Sequence, residues 1–131
     1  MVHAKCTFTV KSWDESTQQE LDGAGKITRA SIVQEFTGDL EATGSAEMLM
    51  CYGSDGMADY VGYQRFTGRL GERSGSFVLR GIGGYDGTNA TAALTVVPGS
   101  GTGELAGLRG TGRSVVGHQP PGTLTLDYDL G

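Results

Sequence analysis

Thr123-Leu124-Thr125-Leu126-Asp127-Tyr128-Asp129-Leu130 alternates without a break between polar and apolar side chains. Successive side chains of an extended strand point to opposite faces, so Leu124, Leu126, Tyr128 and Leu130 share one face and the threonines and aspartates the other. A strand that is dry on one side and wet on the other belongs to an antiparallel sheet curved over one core, not to a parallel sheet buried on both sides.

The same period recurs upstream. Thr7 to Trp13 and Ile27 to Phe36 read as strands, followed by Ser45 to Tyr52, Ala58 to Thr67, Ser74 to Arg80, Ala90 to Val97 and Gly110 to Val116. Glycine, 23 of 131 residues, punctuates them. Gly53-Ser54-Asp55-Gly56 and the segment Gly68 to Arg73 have hairpin length, and Asp86-Gly87 and Pro120-Pro121-Gly122 are turns. Asp14 to Gly25 is polar and ends in Asp22-Gly23-Ala24-Gly25, which predicts a surface loop. About eight strands, with no helical stretch long enough for a crossover, predict an all-β chain folded as one domain over residues 1–131. A single antiparallel eight-stranded barrel fits best, with a two-sheet sandwich as the alternative.

Composition narrows the function classes. Three prolines and no Gly-X-Y period exclude collagen, and 37% apolar against 19% charged residues supplies one core. A net charge of −5 repels phosphate backbones, so no nucleic-acid partner is expected. No membrane span is expected either, because no run of about 18 apolar residues occurs. Met1-Val2-His3-Ala4-Lys5-Cys6 lacks the apolar core of a signal peptide, which leads to a soluble cytoplasmic protein with Cys6 and Cys51 as free thiols.

Gly107-Leu108-Arg109-Gly110-Thr111-Gly112-Arg113-Ser114 has P-loop spacing with arginine at the lysine position, but no helix follows to face a phosphate. His3 and His118 lie at opposite ends and no C-x-x-C or H-x-x-x-H occurs, so neither metal nor cofactor is expected.

Chemistry is sought instead among polar residues inside apolar strands. Tyr60, Gly62, Gln64 and Phe66 share one face, and Glu47 precedes Met48-Leu49-Met50-Cys51-Tyr52. With these faces turned inward, Glu47, Gln64 and Tyr60 are the catalytic candidates, Glu47 as a carboxylate whose pKa burial raises. Trp13, Gln34, Cys51, Tyr52, Tyr63 and Phe66 are the candidates for holding a substrate. The plainer alternative has Glu47 outside, paired with an arginine of the neighbouring strand such as Arg65. Apolar residues on the face away from the lumen, Val61 and Tyr63, point to a homo-oligomer.

Lys11-Ser12-Trp13-Asp14-Glu15, Phe36-Thr37-Gly38-Asp39-Leu40-Glu41, Arg73-Ser74-Gly75-Ser76-Phe77-Val78-Leu79 and the segment Val96 to Leu108 resemble a bacterial family of short domains of unknown function. That family is similar in fold to allene oxide cyclase, so the resemblance implies a calycin-like, allene oxide cyclase-like barrel with a central cavity. Members commonly carry leucine and glutamate where this chain has Tyr63 and Gln64, and a different ending to the fifth strand than Arg80-Gly81-Ile82-Gly83-Gly84-Tyr85. The reading that follows is a barrel binding a flexible, apolar, polyketide- or lipid-like molecule, and working as a cofactor-independent cyclase or isomerase. The competing reading is a non-catalytic ligand-binding or structural barrel.

Overall fold

The computed structural model describes residues 1–23 and 25–130. Eight strands run β1 Val2–Leu21, β2 Gly25–Gly38, β3 Leu40–Tyr52, β4 Ala58–Leu70, β5 Arg73–Tyr85, β6 Ala90–Val96, β7 Leu108–Val116 and β8 Gly122–Leu130. Each pairs antiparallel with its sequence neighbours, and β1 pairs with β8, so the sheet closes into a barrel and the sandwich alternative falls away.

The sequence places the strands but misjudges their lengths. Asp14 to Gly25 is no loop: β1 continues to Leu21 and pairs with β2 down to Leu21↔Gly25, with register shifts between Val10 and Ser12 and between Thr17 and Gln19. This arm of β1 runs on beyond its last pairing with β8, at Phe8↔Gly122, and has β2 as its one neighbour, so it is largely exposed on both faces. Its side chains are therefore polar on both sides, and the period-two signal vanishes. At the other end β4 runs on to Leu70, leaving only Gly71 and Glu72 between β4 and β5. Gly71, at φ +61°, supplies the left-handed conformation that turn requires.

The barrel is packed at one end and hollow at the other. Phe8, Phe36, Phe66 and Phe77 form a ladder across the closed end, with successive ring centroids 5.1, 4.8 and 5.0 Å apart. Phe36 and Phe66 meet across β3 because Gly44, opposite Phe66 in the register, leaves room for the Phe36 ring, from which a Cβ there would sit 2.6 Å. Leu40, Leu70, Leu79, Leu108 and Leu126 fill the space beneath. Leu105, on a single 3₁₀ turn at Gly103–Leu105, seals the bottom. Its segment is tied to β5 by Ser76 and Thr102, whose hydroxyls are 2.6 Å apart. Toward the opposite end several inward positions are small, Ala30, Ala46, Ala58 and Ala92, and a cavity remains among the larger side chains there.

The outward positions of β2 to β4 carry Arg29, Ser31, Glu41, Thr43, Ser45, Arg65 and Arg69, the reverse of the apolar exterior of a membrane-spanning barrel. No helix is long and apolar enough to cross a membrane among the described residues. One exception to the polar exterior is a row in which Leu49, Val61 and Ile82 stand beside one another on β3, β4 and β5, each about half exposed.

The two cysteines are free and differ in setting. Burial, with Asp39 and Glu41 nearby, pushes the Cys6 thiol up to about 12. Cys51 is exposed on the outer face. A thiol-specific reagent at pH 8 is expected to modify one thiol per native chain, at Cys51, and both after unfolding. Rapid native modification of Cys6 in a Cys51→Ser variant would contradict that placement.

Candidate functional site

The hollow end holds a cavity of about 350 Å³. Phe8 and Phe36 form its floor, and Ile32, Met50, Leu94 and Val116 are among its apolar walls. Gly56, Tyr85 and Ala90 mark the mouth, near the turns that join β3 to β4 and β5 to β6. Among the described residues that line it, none is Asp, Glu, Lys, Arg or His.

Two polar devices stand inside these apolar walls. Gln34 on β2 and Gln64 on β4 reach toward each other over β3, which presents only Gly44 and Ala46 at the intervening positions. The Gln64 amide nitrogen donates to the Gln34 carbonyl oxygen, and Gln64 is only 7% exposed. Two primary amides joined by one such bond leave an amide N–H₂ on one and a carbonyl oxygen on the other. Neither leftover group is closed off from solvent without a partner, so both are open to the cavity. The second device is Tyr60, whose hydroxyl donates to the Thr91 carbonyl oxygen at 3.2 Å across the inward-facing Gly83 of β5. Gly83 thus clears the space a tyrosine crosses. Burial pushes the Tyr60 phenol up, so it keeps its proton at neutral pH and acts as a donor, not a base.

A third cluster stands at the rim, built on Glu15, which lies in the stretch read from sequence as a loop. Glu15, on the arm of β1, accepts hydrogen bonds from the Thr28 hydroxyl at 2.6 Å, the Tyr52 hydroxyl at 2.7 Å and the Trp13 indole at 2.9 Å. Lys26 lies 5.6 Å from the centre of the Tyr52 ring. Trp13 and Tyr52 both line the cavity, so this cluster pins two of its aromatic walls. Burial raises the Glu15 carboxyl, but the three donors and Lys26 outweigh it and hold the group below its ordinary value. Burial and then Glu15 itself push the Tyr52 phenol up to about 12.

A carboxylate held below its unfolded pKa contributes stability above that value and loses it as pH falls through the lowered one. Fluorescence of Trp13, the single tryptophan of the chain, is therefore expected to stay constant from pH 7 through about 4.3 and to change only below it. Glu15→Gln is expected to shift the emission already at pH 7. A wild-type transition centred at or above about 4.3 would contradict the arrangement.

The structure brings together Gln34, Gln64, Tyr60, Tyr52 and Trp13 of the residues read from sequence as site candidates. Four others lie elsewhere. Glu47 points outward, where the Ser31 hydroxyl and the Arg29 guanidinium, 2.7 Å away, hold its carboxyl below the ordinary range. Its ion-pair partner is Arg29 of β2, not Arg65 of β4. The cause is register: Ala46, not Glu47, stands opposite Gln64, so Ala46, Met48 and Met50 take the inward face. Cys51 shares the outward face of Glu47, and Tyr63, opposite Glu47, is 56% exposed. Phe66 faces inward but is stacked beneath the floor between Phe36 and Phe77, with no exposed surface.

The chain is thus a closed antiparallel barrel with one packed end and one hollow end, whose cavity has an apolar and, among the described residues, uncharged lining. The chain belongs to the DUF3224 family, described as proteins of unknown function, whose model matches residues 4–128. It is similar to a protein of unknown function from that family in Shewanella oneidensis MR-1, whose crystal structure was determined at 1.84 Å. The two share 29% identity and superpose with a TM-score of 0.86 over 100% of this chain and 98% of that one. No curated protein matches.

Proposed function

We propose that the protein binds a small, largely apolar molecule in the lumen of its barrel. The observation that carries this is the cavity itself: about 350 Å³ of apolar space into which a few polar groups converge. An unfilled apolar cavity lowers stability, and a ligand that fills it returns those contacts. A cytoplasmic setting is part of the same proposal, supported by two unpaired thiols.

Cyclisation or isomerisation of such a molecule is the catalytic extension of this reading. With Glu47 outside, it would rest on holding the molecule in a reactive conformation, worth on the order of 7–11 kcal/mol in favourable cases, and on donors from Tyr60 and the glutamine pair. A step that needs a strong general base finds none among the described residues of the lining. Binding is accordingly the function the geometry supports best.

N-Phenyl-1-naphthylamine, a neutral fluorophore that brightens in apolar surroundings, tests it by titration. Saturable binding at one site per chain is expected, together with its loss in a folded Ala90→Trp variant, since Ala90 lines the mouth and tryptophan there obstructs it. No saturable binding, or binding that the variant leaves intact, would overturn the proposal.

A further inference from the structure

The chemistry of the lining bears on which molecule the lumen would take, an inference that rests on the binding reading and deepens it. From the lining and the glutamine pair we infer that the ligand is an uncharged molecule, an apolar body carrying a hydroxyl, ketone, ester or amide group, and not a free carboxylic acid or an amine.

Three observations lead there. First, no Asp, Glu, Lys, Arg or His lines the cavity among the described residues. A carboxylate or ammonium entering it gives up its hydration for walls of Phe8, Ile32, Met50 and Leu94 and finds no opposite charge. Second, Glu15 and Lys26, charged groups at the rim, are outside the cavity lining and already engaged. Glu15 is bound by three donors and Lys26 sits over the Tyr52 ring. For an anion, Glu15 adds repulsion at the entrance.

The third observation is the glutamine pair. Gln64 is more than nine-tenths buried and Gln34 half-buried, and beyond the bond between them the pair presents one amide N–H₂ and one carbonyl oxygen that are open to the cavity. Because each glutamine can be turned by exchanging oxygen and nitrogen, it matters that the conclusion survives the exchange: one donor group and one acceptor are left over whichever amide donates. Such a pair takes a carbonyl through its N–H₂, a hydroxyl through both groups, and an amide through both groups. It offers no full charge to an ion. Met48 and Met50, unbranched and polarisable, leave the surrounding wall able to adapt to a flexible chain.

Four ligands with ten-carbon chains and different heads test the inference: decan-2-one, decanoate, decylammonium and 1-chlorodecane, each displacing N-phenyl-1-naphthylamine at pH 7.5. Decan-2-one is expected to bind on the order of a hundredfold more tightly than either ion. Its affinity should fall about tenfold in a Gln34→Met/Gln64→Met variant, while that of 1-chlorodecane, which lacks a strong hydrogen-bonding head, stays within about threefold. Decanoate or decylammonium binding within about threefold of the ketone would overturn the inference and leave the binding reading standing. Equal losses for ketone and chloroalkane in the variant would overturn the role of the glutamines. Failure of all four to displace a fluorophore whose binding Ala90→Trp abolishes would overturn the inference alone, whereas fluorophore binding that Ala90→Trp leaves intact would overturn the binding reading and the inference with it.

Discussion

Phe36→Ala is expected to lower the stability of the protein by about 3–5 kcal/mol, the largest effect of any single truncation considered for the lumen. Phe36 is 2% exposed and touches Phe8 on one side and Phe66 on the other, with centroids 5.1 and 4.8 Å away. It is also the ring that Gly44 leaves room for, so the surrounding strands cannot close over the space it vacates without moving backbone. Phe36→Leu keeps much of the volume and should cost less. The check is chemical denaturation in urea, comparing midpoints at unchanged slope. A loss under about 1 kcal/mol for the alanine variant would mean that the ladder does not support the floor.

The second large effect is an asymmetry within the glutamine pair. Gln34→Met removes the partner that the Gln64 amide has among the described residues, and Gln64 is almost wholly buried. Leaving such a group unpaired costs about 1–3 kcal/mol. The converse change, Gln64→Met, strands only Gln34, which is half-buried and can be reached by water from the cavity, so its cost should be smaller. The double variant replaces both amides by apolar chains of similar length and is expected to be more stable than Gln34→Met alone. Additive losses in the double variant would contradict a bonded pair.

Much of this architecture is legible before any coordinates. The last strand, Thr123 to Leu130, shows its alternation plainly because one face meets core and the other meets water along nearly its whole length. Tyr60 and Gln64 are correctly placed on the lumen face from the same period, and Gln34 follows from its place two residues before Phe36. What failed has physical causes. Glu47 and its neighbours Leu49 and Cys51 alternate as regularly as Ala46, Met48 and Met50, and an exterior that carries Leu49 beside Glu47 masks which set is inside. Only the pairing of Ala46 with Gln64 decides it, and pairing register is a tertiary fact. Glu15 escaped notice for a different reason: the arm that carries it is largely exposed on both faces, so its polar sequence looks like a loop. Its partners Thr28 and Tyr52 come from two other strands.

The Gly-rich stretches illustrate the same division. The segment Gly107 to Ser114, with its P-loop spacing, spans the approach to β7 and most of that strand, and no helix follows it. Gly83, by contrast, belongs to none of these spacings, yet by leaving its place on the inner face of β5 bare it lets Tyr60 of β4 reach Thr91 of β6. Composition indicated a barrel full of turns. The coordinates show that part of the glycine is spent on keeping the lumen open.

The most direct test of the central claim is a crystal structure of the protein grown with decan-2-one. The account predicts continuous density in the lumen above Phe8 and Phe36, with the ketone oxygen within hydrogen-bond distance of an amide nitrogen of Gln34 or Gln64. A lumen closed by rearranged side chains, with the ketone absent or bound on the outer face near Leu49, Val61 and Ile82, would contradict it.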